Sequence, residues 1–385
     1  MWVALFALAC HASGRACADE RSISTSERVA IDGAELFLLT RGEDRSAPVV
    51  VWLHGGPGAA ERPLFRYFNG ALEDHFVVAY LDQRGAGRSF DPNVDPSQLT
   101  VARHLVDLDA VVSHLRRELG TQKVTLIGHS WGGALGLLYA HSHSDKVSAV
   151  VAVSPLVSTR VQQRAQYDFV YEEASRRKQE DVLAELRDIG APPHGSAANV
   201  LAMERLAGRY GAVFHEEPSR MWILLRGVVA GLVTPWEIPR LIRGNQVSLE
   251  AMNDELIDLD LTKSVPELGV PVIFMLGRHD HHVSAEVASS YFEALRAPSK
   301  KVIWFEDSAH NVPFEQPERF NASVQSELEA IGVDDARSRD HRNAAIRCPR
   351  RCRRTSNSSA RLTLAAVSRH TVSAGSGPVS AVSSR

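Results

Sequence analysis

The chain has 385 residues, of which 44% are hydrophobic and 23% charged, with a formal net charge of -3. That composition suits a globular protein with a sizeable core, and the near-balance of charge excludes a global field drawing it to nucleic acid or an anionic membrane. No run reaches the ~18 apolar residues needed to span a bilayer, and at roughly 100–200 residues per domain the length suggests two.

The first element in chain order is a short apolar run, Trp2 to Ala9, followed by Ala16-Cys17-Ala18 ahead of Asp19. This resembles an export leader over residues 1–18 with a small-x-small cleavage site. No Lys or Arg precedes the run, so exported and cytoplasmic locations both stay open. The cysteines are Cys10, Cys17, Cys348 and Cys352, so residues 18–347 hold no internal disulfide. Cys348 and Cys352 lack the second Cys or His pair that a zinc set needs.

Short apolar runs then alternate with longer amphipathic stretches, which predicts an α/β protein with a mostly parallel sheet flanked by helices. Strands are expected at 34–40, 49–53, 76–81, 123–127 and 147–153, and helices at 99–119 and 131–143. From about 156 to 266 the strand pattern stops and helical spacing dominates, which predicts a helical cap inserted into a core of 27–155 and 267–332. Strands return at 270–276 and 301–305 with a helix at 284–296 between them, and a last helix begins near Pro317, a good first-turn residue. Residues 337–385 are rich in Arg, Ser, Ala and Val without aromatic residues. This predicts a disordered basic tail, and without interleaved aromatics it does not read as a nucleic-acid arm.

The chemistry is concentrated between elements. Gly-His-Ser-Trp-Gly-Gly at 128–133 fits G-x-S-x-G centred on Ser130, with a buried strand entering and a helix leaving. A sharp strand-to-helix turn of this kind lifts the hydroxyl out of the sheet and needs small residues at Gly128 and Gly132. A serine hydroxyl is a weak nucleophile without a base, and the base needs an orienting acid. Asp280, in Gly277-Arg278-His279-Asp280, and His310, in Asp307-Ser308-Ala309-His310, follow the last two expected strands. All three residues therefore fall at the carboxyl ends of strands, where open α/β sheets gather their catalytic groups. Asp307 is a poorer acid candidate, being on the same loop as His310. His279, His281 and His282 read as solvated loop histidines rather than a metal set. His54-Gly55-Gly56-Pro57-Gly58 directly follows a strand and can offer backbone N–H groups, chiefly that of Gly56, opposite the Trp131 amide as an oxyanion hole.

HGGPG at 54–58, DQRGAGRS at 82–89 (with Asp82 and Arg84) and GHSWGG at 128–133 together resemble the proline iminopeptidase branch of the α/β-hydrolases. GRHD at 277–280 and SAH at 308–310 fit the same branch, and the resemblance covers about residues 27–332. It implies the α/β-hydrolase fold, a triad of Ser130, Asp280 and His310, no metal or organic cofactor, and release of N-terminal residues from peptides. In that family cap glutamates bind the free amine; Glu172, Glu173, Glu204 and Glu237 are available here, and none aligns to those positions. The expected partner is a small peptide or acyl substrate, with no nucleic acid, no membrane span and no oligomeric state fixed by the sequence. The epoxide hydrolase and haloalkane dehalogenase branches fit poorly, since they carry Asp where this chain has Ser130. An esterase, amidase or lactonase shares the same triad, and a non-enzymatic binding protein on a hydrolase scaffold is the reading from another class.

Overall fold

A computed structural model describes residues 21–215 and 233–333. These lie in one compact unit, residues 1–342, and none lies in the second, Asn343–Arg385. The expected leader, all four cysteines and the basic tail fall outside the described residues.

The described residues form an eight-stranded sheet in the order β1-β2-β4-β3-β5-β6-β7-β8. Its strands are β1 (Ile23–Ile31), β2 (Ala34–Gly42), β3 (Val49–Leu53), β4 (Val77–Leu81), β5 (Val124–His129), β6 (Val147–Val153), β7 (Val272–Gly277) and β8 (Lys300–Phe305). β1–β2 and β2–β4 pair antiparallel, and every other neighbouring pair is parallel. This is the α/β-hydrolase architecture expected above. The central strands β3 to β7 are buried on both faces, which is why they read as continuous Val, Leu and Ile runs.

β1 was not among the expected strands. Its sequence, ISTSERVAI, buries only its two ends, so it carries little apolar alternation. It is held instead by a two-residue turn, Asp32-Gly33, with φ of 44° and 79°. Both central residues have positive φ, the geometry that matches strand twist in a tight hairpin.

Helices cover both faces. On one side α2 (Val101–Leu119), α3 (Trp131–Ser142) and α8 (Ala285–Ala294) bury Leu108, Val111, Leu115, Leu135, Leu137 and Tyr291 against the sheet. On the other, α1 (Arg62–Asn69) and α9 (Pro317–Ala330) bury Phe65, Phe320, Val324 and Leu328 against Trp52 and Tyr80. α1 escaped the sequence reading because eight residues give barely two turns of periodicity. α2 begins at Thr100, whose hydroxyl accepts the Arg103 N–H at 3.1 Å, and stops at Gly120 in the left-handed region.

Between β6 and β7 lie α4 (Thr159–Arg176), α5 (Glu180–Ile189), α6 (Ala197–Gly208) and α7 (Ile238–Ile257). α4, α5 and α6 share a core of their own: Val170, Ala174, Val182, Leu186, Met203 and Leu206. The insertion leaves and rejoins at one place. Ser158 and Asp260 form an isolated antiparallel bridge, and Leu261 N–H donates to Val157 O at 2.8 Å. No helix among the described residues is long and apolar enough to cross a membrane.

Candidate active site

Parallel register aligns the carboxyl ends of the central strands. Leu53 pairs with Gly128, and His129 with Val153. The ladder then continues into the loops: Ser130 N–H donates to Val153 O at 2.9 Å, Ser154 N–H to Met275 O at 3.0 Å and Arg278 N–H to Phe305 O at 3.0 Å. Residues 54–58, 130, 280 and 310 therefore leave the sheet from one edge.

Ser130 sits between β5 and α3 with φ 54° and ψ −118°. Such a conformation is costly for a residue with a side chain, of order 1–3 kcal/mol, and persists only where the surroundings enforce it. Close packing enforces it here. A Cβ at Gly128 would lie 2.2 Å from Gly132 O, and one at Gly132 would lie 2.1 Å from Leu53 O. The turn can thus form only with glycine at both positions, the physical content of the motif. Ser130 starts a helix, so the N–H groups of that first turn lack intrahelical acceptors and carry the positive end of the helix dipole.

His310 and Asp280 meet. His310 Nδ1 donates to Asp280 Oδ2 at 2.9 Å, and both side chains are buried. The second oxygen, Asp280 Oδ1, accepts the N–H groups of His282 at 3.0 Å and Val283 at 2.9 Å. Burial acts to raise the Asp280 pKa, yet the imidazole charge, its hydrogen bond and the Val283 N–H hold it below the ordinary carboxylate value. Burial pushes His310 down, against the pull of Asp280, so the imidazole is the neutral form near neutral pH. Asp307 is exposed, consistent with its being passed over.

The 54–58 loop is fixed by a buried network from the 82–89 loop. Gln83 N–H donates to His54 Nε2 at 3.0 Å, which obliges His54 Nδ1 to donate to Gly55 O at 2.9 Å. Gln83 also donates to His54 O at 2.8 Å and accepts from the Trp131 indole at 3.0 Å, linking both halves of the expected oxyanion hole. Asp82 binds Arg62 Nε at 3.0 Å and the Arg88 N–H at 2.9 Å, and Arg84 forks onto Asp107 with two bonds of 2.7 Å. Asp82 and Arg84 are therefore scaffold residues. From above, the Asn245 amide of α7 donates to Pro57 O at 2.8 Å, seating that helix on the loop.

Three features were not found by sequence reasoning. Glu61, three residues past HGGPG, accepts the Gly55 N–H at 3.2 Å and binds His129 Nδ1 at 2.8 Å. That commits the Gly55 N–H within its own loop. His129, a variable position within the serine motif, also reaches His310 O at 3.0 Å through Nε2. The histidines beside Asp280 correct the reading of a solvated loop, because each packs. His281 stacks on Phe169 at 4.1 Å, His279 stacks on His215 at 3.7 Å, and His282 meets the Gln166 amide at 2.7 Å. Phe169 and Gln166 belong to α4, so this loop packs against the first helix inserted between β6 and β7. Among the described residues no group of three or more His, Cys, Asp or Glu could hold a metal ion. Of the cap acids, Glu173 pairs with Arg176 and Arg177, Glu237 pairs with Arg88, and Glu172 is exposed; Glu204 is partly buried.

Residues 48–189 match the family model described as the alpha/beta hydrolase fold. A probable aminopeptidase, YbaC, of Bacillus subtilis is 28% identical over 309 residues, spanning 78% of this chain and 95% of that protein. The proline iminopeptidase of Saccharolobus solfataricus is 24% identical over 304 residues, 76% of this chain and 87% of that one. A crystal structure of Mycobacterium smegmatis proline iminopeptidase superposes with a TM-score of 0.60 at 19% identity, covering 80% of this chain and 98% of that one.

Proposed function

We propose that this chain, which is an α/β-hydrolase of the proline iminopeptidase-like type, works as a serine aminopeptidase through Ser130, His310 and Asp280. The observation that carries this reading is the strained backbone of Ser130 on the same sheet edge as a buried histidine already bound to a buried aspartate. His310 takes the Ser130 proton as Oγ attacks the carbonyl carbon of the first peptide bond. The oxyanion collects the N–H groups of Trp131 and Gly56. His310 returns the proton to the leaving amine, and water then hydrolyses the acyl-enzyme by the same route reversed. Asp280 holds the imidazole in the tautomer whose Nε2 is free to accept.

Preference for an N-terminal residue draws on the relatives, which are named aminopeptidase and proline iminopeptidase. A panel of proline and other aminoacyl amides, with free and blocked amines, set beside short acyl esters, tests it. Turnover confined to free-amine substrates is expected; equal turnover of blocked amides or faster turnover of esters would replace the aminopeptidase with an amidase or esterase.

The pH profile follows from His310. Protonated imidazole cannot accept from Ser130, so activity is lost as pH falls through its pKa. Burial places that pKa below the ordinary 6.5. The acid limb of kcat/KM is expected to have a midpoint below 6.5, with a slope of one proton; a midpoint above 6.5 would contradict the buried, neutral base.

A further inference from the structure

Acyl transfer as written does not use the side chains of Glu61 and His129, yet the pair joins the 54–58 loop, the nucleophile turn and the His310 loop. His129 Nδ1 lies 2.8 Å from Glu61 Oε1, and its Nε2 lies 3.0 Å from His310 O. A carboxylate and a carbonyl only accept hydrogen bonds. Glu61 is held below the ordinary carboxylate value and is ionised, so both ring nitrogens donate, and an imidazole bearing two N–H groups is the cation. Glu61 Oε2 meanwhile accepts the Gly55 N–H at 3.2 Å. His129 itself lies between Gly128 and Ser130 in the nucleophile turn.

We propose that Glu61 keeps His129 as a buried imidazolium at neutral pH, and that this ion pair is the positioning element that clamps the 54–58 loop and the His310 loop onto the nucleophile turn. The proposal rests on the triad reading above. His310 is thereby held from two directions, its ring by Asp280 and its main chain by His129. The charge has a second effect. The His129 ring centroid is 4.7 Å from that of His310, whereas Glu61 lies beyond His129. The nearer positive charge disfavours a second cation at His310 and keeps the base neutral.

Burial opposes charge on both partners, but their mutual attraction and hydrogen bond prevail, holding Glu61 below and His129 above their ordinary values. His54 faces Glu61 from the 54–58 loop and favours its ionised form. Asp280 also favours the His129 cation. His310 is flanked by Asp280, Glu61 and His129, and the His282 ring stands edge-on to it with centroids 4.7 Å apart. Glu315, whose pKa burial pushes up to about 7, accepts the Ala309 N–H from the other side of the loop. A buried pair of this kind gives little net stability, because desolvation consumes most of the attraction, so its value lies in fixing geometry.

The test is a nitrogen-15 NMR titration of the full chain, with the His129 signals assigned by their loss in His129→Gln. Both ring nitrogens are expected to stay protonated at pH 7, above the ordinary value of 6.5, and a neutral ring there would overturn the proposal. In Glu61→Gln the ring should become neutral at that pH. The same variant should lose about tenfold to a hundredfold in kcat/KM, the scale of a small misplacement of catalytic groups. Its acid limb should move to higher pH, because the nearer positive charge is gone. Glu61→Asp, which keeps the charge, should restore part of the cation and of the rate. An unmoved acid limb in Glu61→Gln would reduce the pair to packing and overturn the positioning role. Full turnover by Ser130→Ala would instead remove the triad reading and leave the measured charge of His129 standing.

Discussion

Ser130→Ala is expected to lower kcat by about five to six orders of magnitude, the scale seen when the nucleophile of a serine triad is removed, while the protein stays folded. Both halves follow from the same turn. The strain at φ 54° belongs to the backbone and to Cβ, and alanine keeps both, so the fold meets no new cost. Only Oγ is lost, and with it the atom that forms the acyl-enzyme. The buried His310–Asp280 pair, bonded at 2.9 Å, remains without a proton to accept. Residual turnover should come from the oxyanion donors and binding alone. Steady-state kinetics with a thermal melt of the same preparation checks both halves: unchanged turnover refutes the assignment of Ser130, and a collapsed melt refutes the account of the turn.

Asp280→Asn should cost about four orders of magnitude in kcat, the scale of a triad left in the wrong tautomer, with little change in overall structure. The surrounding hydrogen bonds dictate which way the amide points. Two main-chain N–H groups, from His282 and Val283, converge on the Oδ1 position at 3.0 and 2.9 Å. That site requires an acceptor, so the amide oxygen must occupy it. The NH2 group is then turned toward His310 Nδ1, donates to it, and drives the remaining ring proton onto Nε2. A ring protonated at Nε2 cannot take the Ser130 proton. Retention of kcat within tenfold would show that another acid orients the histidine.

Much of this architecture could be read from the chain because it obeys strong local rules. The central strands had to be long apolar runs, since both of their faces are covered. The G-x-S-x-G turn announced itself because two positions tolerate no Cβ at all. Asp280 and His310 were singled out by topology, from their place after the last two strands. What escaped had weaker signals. β1 is mostly exposed, so it shows no alternation, although the Asp32-Gly33 pair ahead of β2 marked the hairpin. α1 is too short to show a period. Glu61 and His129 were invisible for a different reason: their meaning lies in a contact across 68 positions of sequence. The histidines after Gly277 look like a polar loop in sequence, and only the packing of α4 against them shows that they support an inserted helix.

Reaction with a fluorophosphonate, followed by peptide mass spectrometry, tests the triad most directly, because the reagent bonds only to a serine activated by a neighbouring base. One adduct is expected, on the peptide containing Ser130, formed in the unsubstituted protein and lost in His310→Ala. An adduct on a different serine, or none from protein that still turns over substrate, would contradict the account.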